Sequence, residues 1–215
     1  MKGFKKNKCA KIIYCPPNTL IRPMSKKLKN SSIKVGAQNC HQNLTYGAFT
    51  GSVNSKMLKD VGAKYVIIGH SENRKEGEND KLINAKIKSA LRWNIKVIFC
   101  IGESLKEKRK KITKKVLIKQ IRNGLNRINN KNDIIIAYEP VWSIGTGLIP
   151  NSNELLEIIT FIKKKTNNCK TLYGGSVSPK NIKELKSIKN IDGFLVGGAS
   201  QDPKKFIDII KKTYN

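Results

Sequence analysis

The sequence predicts an α/β fold, a (β/α)8 barrel represented here by about seven strand–helix units. Three observations carry this. Short apolar runs alternate with longer amphipathic stretches along the chain. Several runs are continuously apolar, as strands buried on both faces must be. No linker or low-complexity tract interrupts the alternation, so the 215 residues read as one domain, 1–215. Such alternation means a parallel sheet. Its repetition with so few insertions favours a closed barrel over an open, doubly wound sheet.

In chain order the apolar runs fall at 11–15, 33–37, 65–68, 97–101, 134–137, 171–173 and 193–196. Between them lie stretches of 3.6-residue period. Residues 80–93 put Leu82, Ile83, Ile87, Ala90 and Leu91 on one side, and 113–128 and 152–165 repeat the pattern. Ser152 with Leu155 after it, and Asp202-Pro203 before the last amphipathic stretch, read as helix starts. A closed barrel of this class has eight units and about 250 residues. One unit, roughly 30 residues, is missing from the count.

Composition narrows the function. The apolar run at 12–14 is far too short for a signal segment or a membrane span. Cys9, Cys15, Cys40, Cys100 and Cys169 form no CxxC pair, which argues against a disulfide scaffold and a zinc site. Reduced thiols fit a cytoplasmic protein with no metal. The formal charge of +28 raises the question of nucleic acid. The lysines are spread over most of the chain, however, and no aromatic residues alternate with them as a stacking platform requires. The excess reads as a solvated surface enriched in Lys, Asn and Ile together, with no specific nucleic-acid partner. Its field draws an anionic substrate in either case.

In a barrel of parallel strands the active site gathers where the strands end. After 65–68 comes Gly69-His70-Ser71-Glu72. A histidine entering a helix start sees the positive end of the dipole, which favours a neutral imidazole able to polarise a carbonyl. The tetrapeptide is equally compatible with a capping histidine. After 134–137 comes Tyr138, then Glu139 and a Pro-Val-Trp to Gly-Thr-Gly segment ending at Gly147. A carboxylate among apolar neighbours can serve as a base. Stiff residues at one end of the segment and permissive ones at the other suit a lid. Gly174-Gly175-Ser176 and Gly197-Gly198 follow the last two runs, where backbone amides can cradle a phosphate. Cys100 reads as packing under the site, His41 as solvated in a polar loop, and Arg74 as a structural ion pair. Glu72 reads as ordering its loop.

These segments resemble the triosephosphate isomerase family. YEPVWSIGTG at 138–147 looks like its signature, accompanied in family order by VGAQNC, GAFTGS, GHSENR, CIGE, YGGSV and DGFLVGGAS. The resemblance runs from about Lys11 to the C-terminus and implies a TIM barrel. In that family a glutamate base works with a neutral histidine electrophile. The resemblance implies that Glu139 moves a proton between carbons through an enediol and that His70 polarises the substrate oxygens. It implies that Gly145, Ser176, Gly197 and Gly198 bind the phosphate, Gly145 once the lid closes. The implied reaction interconverts dihydroxyacetone phosphate and glyceraldehyde 3-phosphate without metal or cofactor. The implied partner is a second copy of the chain, docked through the loop from Asn39 to Ser52.

Three departures qualify the match. Asn73 stands where the family has the first of two arginines, and Ser52 replaces an acidic residue. The family also opens with a strand ending in Asn-x-Lys, whose lysine binds substrate. Here Met1-Lys2-Gly3-Phe4 matches the end of the first helix, so the first strand and most of that helix are absent. Asn54-Ser55-Lys56 has the letters but falls in a helical stretch. The expectation is a gene product that starts upstream of Met1, or a polypeptide nearly inactive alone. The rival readings are an inactive remnant or binding protein on the same fold, another phosphate-binding barrel enzyme, and a nucleic-acid binder.

Overall fold

The structure is a computed structural model that describes residues 11–214. Cys9 and the Met1–Phe4 segment discussed above lie outside the described residues. Seven strands, β1 (Ile13–Tyr14), β2 (Lys34–Ala37), β3 (Tyr65–Ile68), β4 (Lys96–Ile101), β5 (Ile134–Tyr138), β6 (Lys170–Tyr173) and β7 (Gly193–Phe194), form one parallel sheet in chain order. Every apolar run contains a strand. The two outermost are shorter than their runs, since β1 pairs only with β2 and β7 only with β6 among the described residues. β7 ends opposite Tyr173, where β6 ends, and β1 ends opposite Val35, two residues before β2 does.

The helices are α1 (Ile21–Lys27), α2 (Ser55–Asp60), α3 (Ser71–Lys75), α4 (Asp80–Arg92), α5 (Leu105–Arg109), α6 (Thr113–Gly124), α7 (Ser152–Thr166), α8 (Ile182–Ser187) and α9 (Pro203–Tyr214). Asp202 starts α9 as expected, its carboxylate accepting from the Lys204 amide at 2.9 Å. Ser152 is the first helical residue rather than the cap. The cap is Asn151, whose side chain accepts from the Glu154 amide at 2.8 Å. Helix α6 stops at Gly124 although the apolar period runs on to 128. Asn84 captures the Gly124 and Asn126 carbonyls at 2.8 and 3.0 Å, which draws the chain out of the helix, and Arg127 then turns with φ 56°. Leu125 and Ile128 are buried all the same. Asn54 caps α2, so Asn54-Ser55-Lys56 opens a helix and does not end a strand.

Burial on both faces explains the uninterrupted apolar strands. Val66, Ile68, Val97, Phe99 and Ile136 pack outward against the helices, joined by Ile83, Ile87 and Ala90 of α4. Tyr65, Ile67, Ile98, Cys100 and Ala137 alternate with them and fill the inside of the curl, with Ile13, Cys15 and Leu195 packed alongside. Each fully buried isoleucine contributes about 1.5–3 kcal/mol. The loop 38–54 is tied down by polar contacts. Asn39 donates to Glu78 at 2.8 Å and accepts from Lys86 at 3.1 Å, and Lys86 is itself a buried cation paired with Glu78.

Candidate active site

Parallel strands in one curled sheet deliver their C-terminal ends to a common rim. Gly69-His70 leaves β3, Gly102-Glu103 leaves β4, Glu139 leaves β5, and the two glycine turns leave β6 and β7. Two surface clefts, one lined by Thr160, Lys163 and Asn190 and the other by Arg22, Asp60 and Gly62, lie instead beside the turns that lead into strands.

His70 caps α3. Its Nδ1 accepts from the Glu72 amide at 3.3 Å, so the proton of a neutral ring sits on Nε2. Burial pushes the imidazole pKa down, with Lys75 adding to the effect and Glu72 opposing it. The capping and electrophile readings are therefore compatible, since one nitrogen serves the helix and the other faces the site. Nε2 lies 3.3 Å from Glu139 Oε1, a neutral N–H beside a carboxyl rather than an ion pair. Glu72 itself is 78% exposed and meets His70 only through its backbone amide and a distant oxygen. Arg74 makes the structural ion pair, 2.8 Å to Asp80, and braces the Gly69 and Cys100 carbonyls. Asn73 leaves that pair intact. His41 is not simply solvated: its ring packs at a tilt against Phe49 with centroids 5.1 Å apart, because the loop folds back on itself.

Glu139 is 2% exposed. Burial pushes its carboxyl up to about 8, against the Cys100 thiol, the Ser71 amide and the Arg74 charge, which all favour the anion. Cys100 is fully buried and its thiol is held well above the ordinary value, so it packs under the base and is not a nucleophile. The Glu139 amide donates to the Ile101 carbonyl at 2.8 Å. A Cβ at Gly102 would stand 1.7 Å from the Glu139 carbonyl oxygen, so only glycine lets the two strand ends come this close.

Beyond Glu139 runs the segment 140–150, the lid expected from the sequence. It opens with a turn of 3-10 helix, Val141–Ser143, and crosses Gly145 and Gly147 at φ 71° and 80°. Trp142 roots it. The indole N–H donates to Glu103 at 2.8 Å, the Lys108 ammonium lies 3.7 Å from the ring centroid, and Lys108 pairs with Glu154 of α7 at 2.8 Å. Burial raises the Glu103 carboxyl, and donation from Trp142 and Tyr138 opposes the rise. Sequence reasoning left Glu103, Gly102 and Lys108 without a part in the site. The advance signals were the CIGE motif, which holds Gly102 and Glu103, and the Ser104-x-x-Glu107 capping box that starts α5.

Of the candidate phosphate residues, Gly145 lies exposed on the lid, and Gly197 and Gly198 lie exposed after β7. Ser176 reaches the lid, its hydroxyl accepting from the Gly147 amide at 3.0 Å. Tyr173 pairs with Phe194 across β6 and β7, so the two glycine turns leave adjacent strands side by side.

A base that prefers its proton near neutrality, set against a donor that prefers to stay uncharged, is a device for passing one proton back and forth. Barrels with this device on the C-terminal rim are acid–base enzymes, and the chain falls in that class. A family model described as triosephosphate isomerase matches residues 1–213, and the chain belongs to the triosephosphate isomerase family. It is 46% identical over 205 residues to a triosephosphate isomerase from Thermodesulfovibrio yellowstonii, covering 91% of this chain and 83% of that protein. It is 44% identical over 212 residues to one from Carboxydothermus hydrogenoformans, covering 93% and 84%. The crystal structure of triosephosphate isomerase from Bartonella henselae superposes with a TM-score of 0.87 at 35% identity, over 95% of this chain and 87% of that one. These relatives favour an isomerase over an inactive remnant or another barrel enzyme.

Proposed function

We propose that the chain interconverts dihydroxyacetone phosphate and D-glyceraldehyde 3-phosphate, in glycolysis and gluconeogenesis, by moving a proton between adjacent carbons through an enediol. The observation that carries this is the Glu139 carboxyl facing the Nε2–H of a neutral His70 at 3.3 Å on the rim. Substrate would part this contact. Glu139 takes the proton from one carbon and returns it to the next, while His70 polarises the carbonyl and hydroxyl oxygens. Gly145, Ser176, Gly197 and Gly198 hold the phosphate through backbone amides, and the cationic surface draws it in. The mechanism calls on no metal or cofactor.

The test is the pH dependence of turnover by the purified chain. The free-enzyme base is protonated below its pKa, so kcat/KM is expected to fall tenfold per pH unit below about 8. A rate independent of pH between 6 and 8, after allowance for the substrate phosphate, would remove Glu139 from the base role. No detectable isomerisation at any pH would remove the function itself.

We further propose a single barrel domain over 1–215 and a cytoplasmic homodimer joined through the loop from Asn39 to Ser52. Leu44, Tyr46 and Phe49 on that loop are 48, 55 and 46% exposed, three large apolar side chains within six residues. No described helix is long and apolar enough to cross a membrane. A Tyr46→Asp, Phe49→Glu double variant is expected to sediment as a monomer where the parent sediments as a dimer. Unchanged sedimentation would place the contact elsewhere.

A further inference from the structure

We infer that Ser143 is a positioning residue that locks both ends of the lid onto the turn after β6. It is fully buried, although it sits inside a surface segment. Its hydroxyl has one proton and two lone pairs, and all three are engaged. The proton goes to the Leu148 carbonyl, five residues along the lid. One lone pair accepts from the Ser176 amide at 3.2 Å. The remaining neighbour is the Tyr173 hydroxyl at 3.1 Å. Because the serine proton is already spent, Tyr173 must be the donor there. Burial holds the Tyr173 phenol up to about 12, so that donor persists through the working pH range.

The Ser143 backbone completes the lock. Its carbonyl accepts from the Ser176 hydroxyl at 2.6 Å, and that same hydroxyl accepts from the Gly147 amide at 3.0 Å. Ser143 therefore joins Leu148 to residues 173 and 176 of the neighbouring turn, and Ser176 adds Gly147 to the same set of contacts. Two features accompany this arrangement. Pro150 ends the lid without an N–H, and two residues earlier the Leu148 amide is engaged by Thr146 while its carbonyl accepts from Ser143. Gly175 admits the close approach, since a Cβ there would stand 2.6 Å from the serine hydroxyl.

The catalytic consequence rests on the proposed isomerase reading. In that reading the lid carries Gly145 to the phosphate, and the turn supplies Ser176 for the same group. Losing the hydroxyl removes a partner from the part-buried Leu148 carbonyl and Ser176 amide and from the buried Tyr173 hydroxyl. At about 1 kcal/mol for each bond, the loss together is a factor of roughly 10 or more in the population of the seated lid. Binding energy from the phosphate then no longer reaches the reacting carbons.

The experiment compares the parent with Ser143→Ala in two ways. Amide hydrogen exchange across 144–149 is expected to quicken at least tenfold in the variant, with β5 and α7 unchanged. The kcat/KM for glyceraldehyde 3-phosphate is expected to fall at least tenfold, and that for glyceraldehyde, the same triose without its phosphate, less than twofold. Ser143→Thr keeps the hydroxyl and should restore protection. Tyr173→Phe removes a single bond, should shift the lid the same way by a smaller factor, and stands in if Ser143→Ala does not fold. Unchanged lid exchange, or equal losses on both substrates, overturns the inference. A parent chain that turns over neither substrate overturns the isomerase proposal, and the exchange comparison then decides the lock by itself.

Discussion

Glu139→Gln is expected to lower kcat by roughly 10³-fold and, at high pH, to make the fold more stable. The first effect is the loss of a general base, which contributes on the order of 10²–10⁴ in rate. The second follows from burial. The native carboxyl holds its proton up to about 8, while an unfolded chain releases it near the ordinary glutamate value of 4.5. Between those values the native state binds more protons than the unfolded state, so stability falls as pH rises through the window. Above about 8 the full cost of a buried anion is in place. An uncharged amide avoids it, and the gain should be a few kcal/mol. Below pH 4.5 both side chains are neutral and the difference should vanish. Urea denaturation of parent and variant at pH 4 and pH 9 measures this. A gain that is equal at both values would show that the carboxyl is not what strains the site.

Gly102→Ala is expected to damage structure and turnover together. The new methyl would meet the Glu139 carbonyl at 1.7 Å, and a backbone atom cannot rotate away. The ends of β4 and β5 must separate. Overpacking of this kind costs typically 1–3 kcal/mol. The same displacement moves the base, where a shift of about 1 Å is enough for a 10²-fold loss in rate. Thermal unfolding and kcat report the two effects on one sample. A variant with parental kcat would mean that the strand ends separate without carrying the carboxyl along.

Much of this was legible in the sequence because burial on both faces writes itself as uninterrupted apolar letters. The runs at 65–68 and 134–137 needed no further information to be read as strands, and β3 and β5 cover them. The rim followed, since His70 and Glu139 come directly after such runs. Less legible were features that depend on atoms far apart in the chain. Nothing in Gly102 reveals that its neighbour is Glu139. The end of α6 at Gly124 is set by Asn84 from another helix, against the local period. His70 looked like either a cap or a donor because a single letter cannot show that its two ring nitrogens point to different tasks. Ser143 had no signal at all: a serine in a loop is ordinary until Tyr173, Ser176 and Leu148 are found around it.

The two tryptophans of this chain are placed so that light can follow its two mobile questions separately. Trp142 is gripped at the root of the lid between a carboxylate and an ammonium, both of which perturb indole emission. Trp93 instead donates to the Leu44 carbonyl, at the base of the exposed apolar loop. Exchanging either one for phenylalanine leaves a single tryptophan, which can be excited apart from the tyrosines. Trp142 alone would then report a phosphate ester arriving, and Trp93 alone the proposed second subunit.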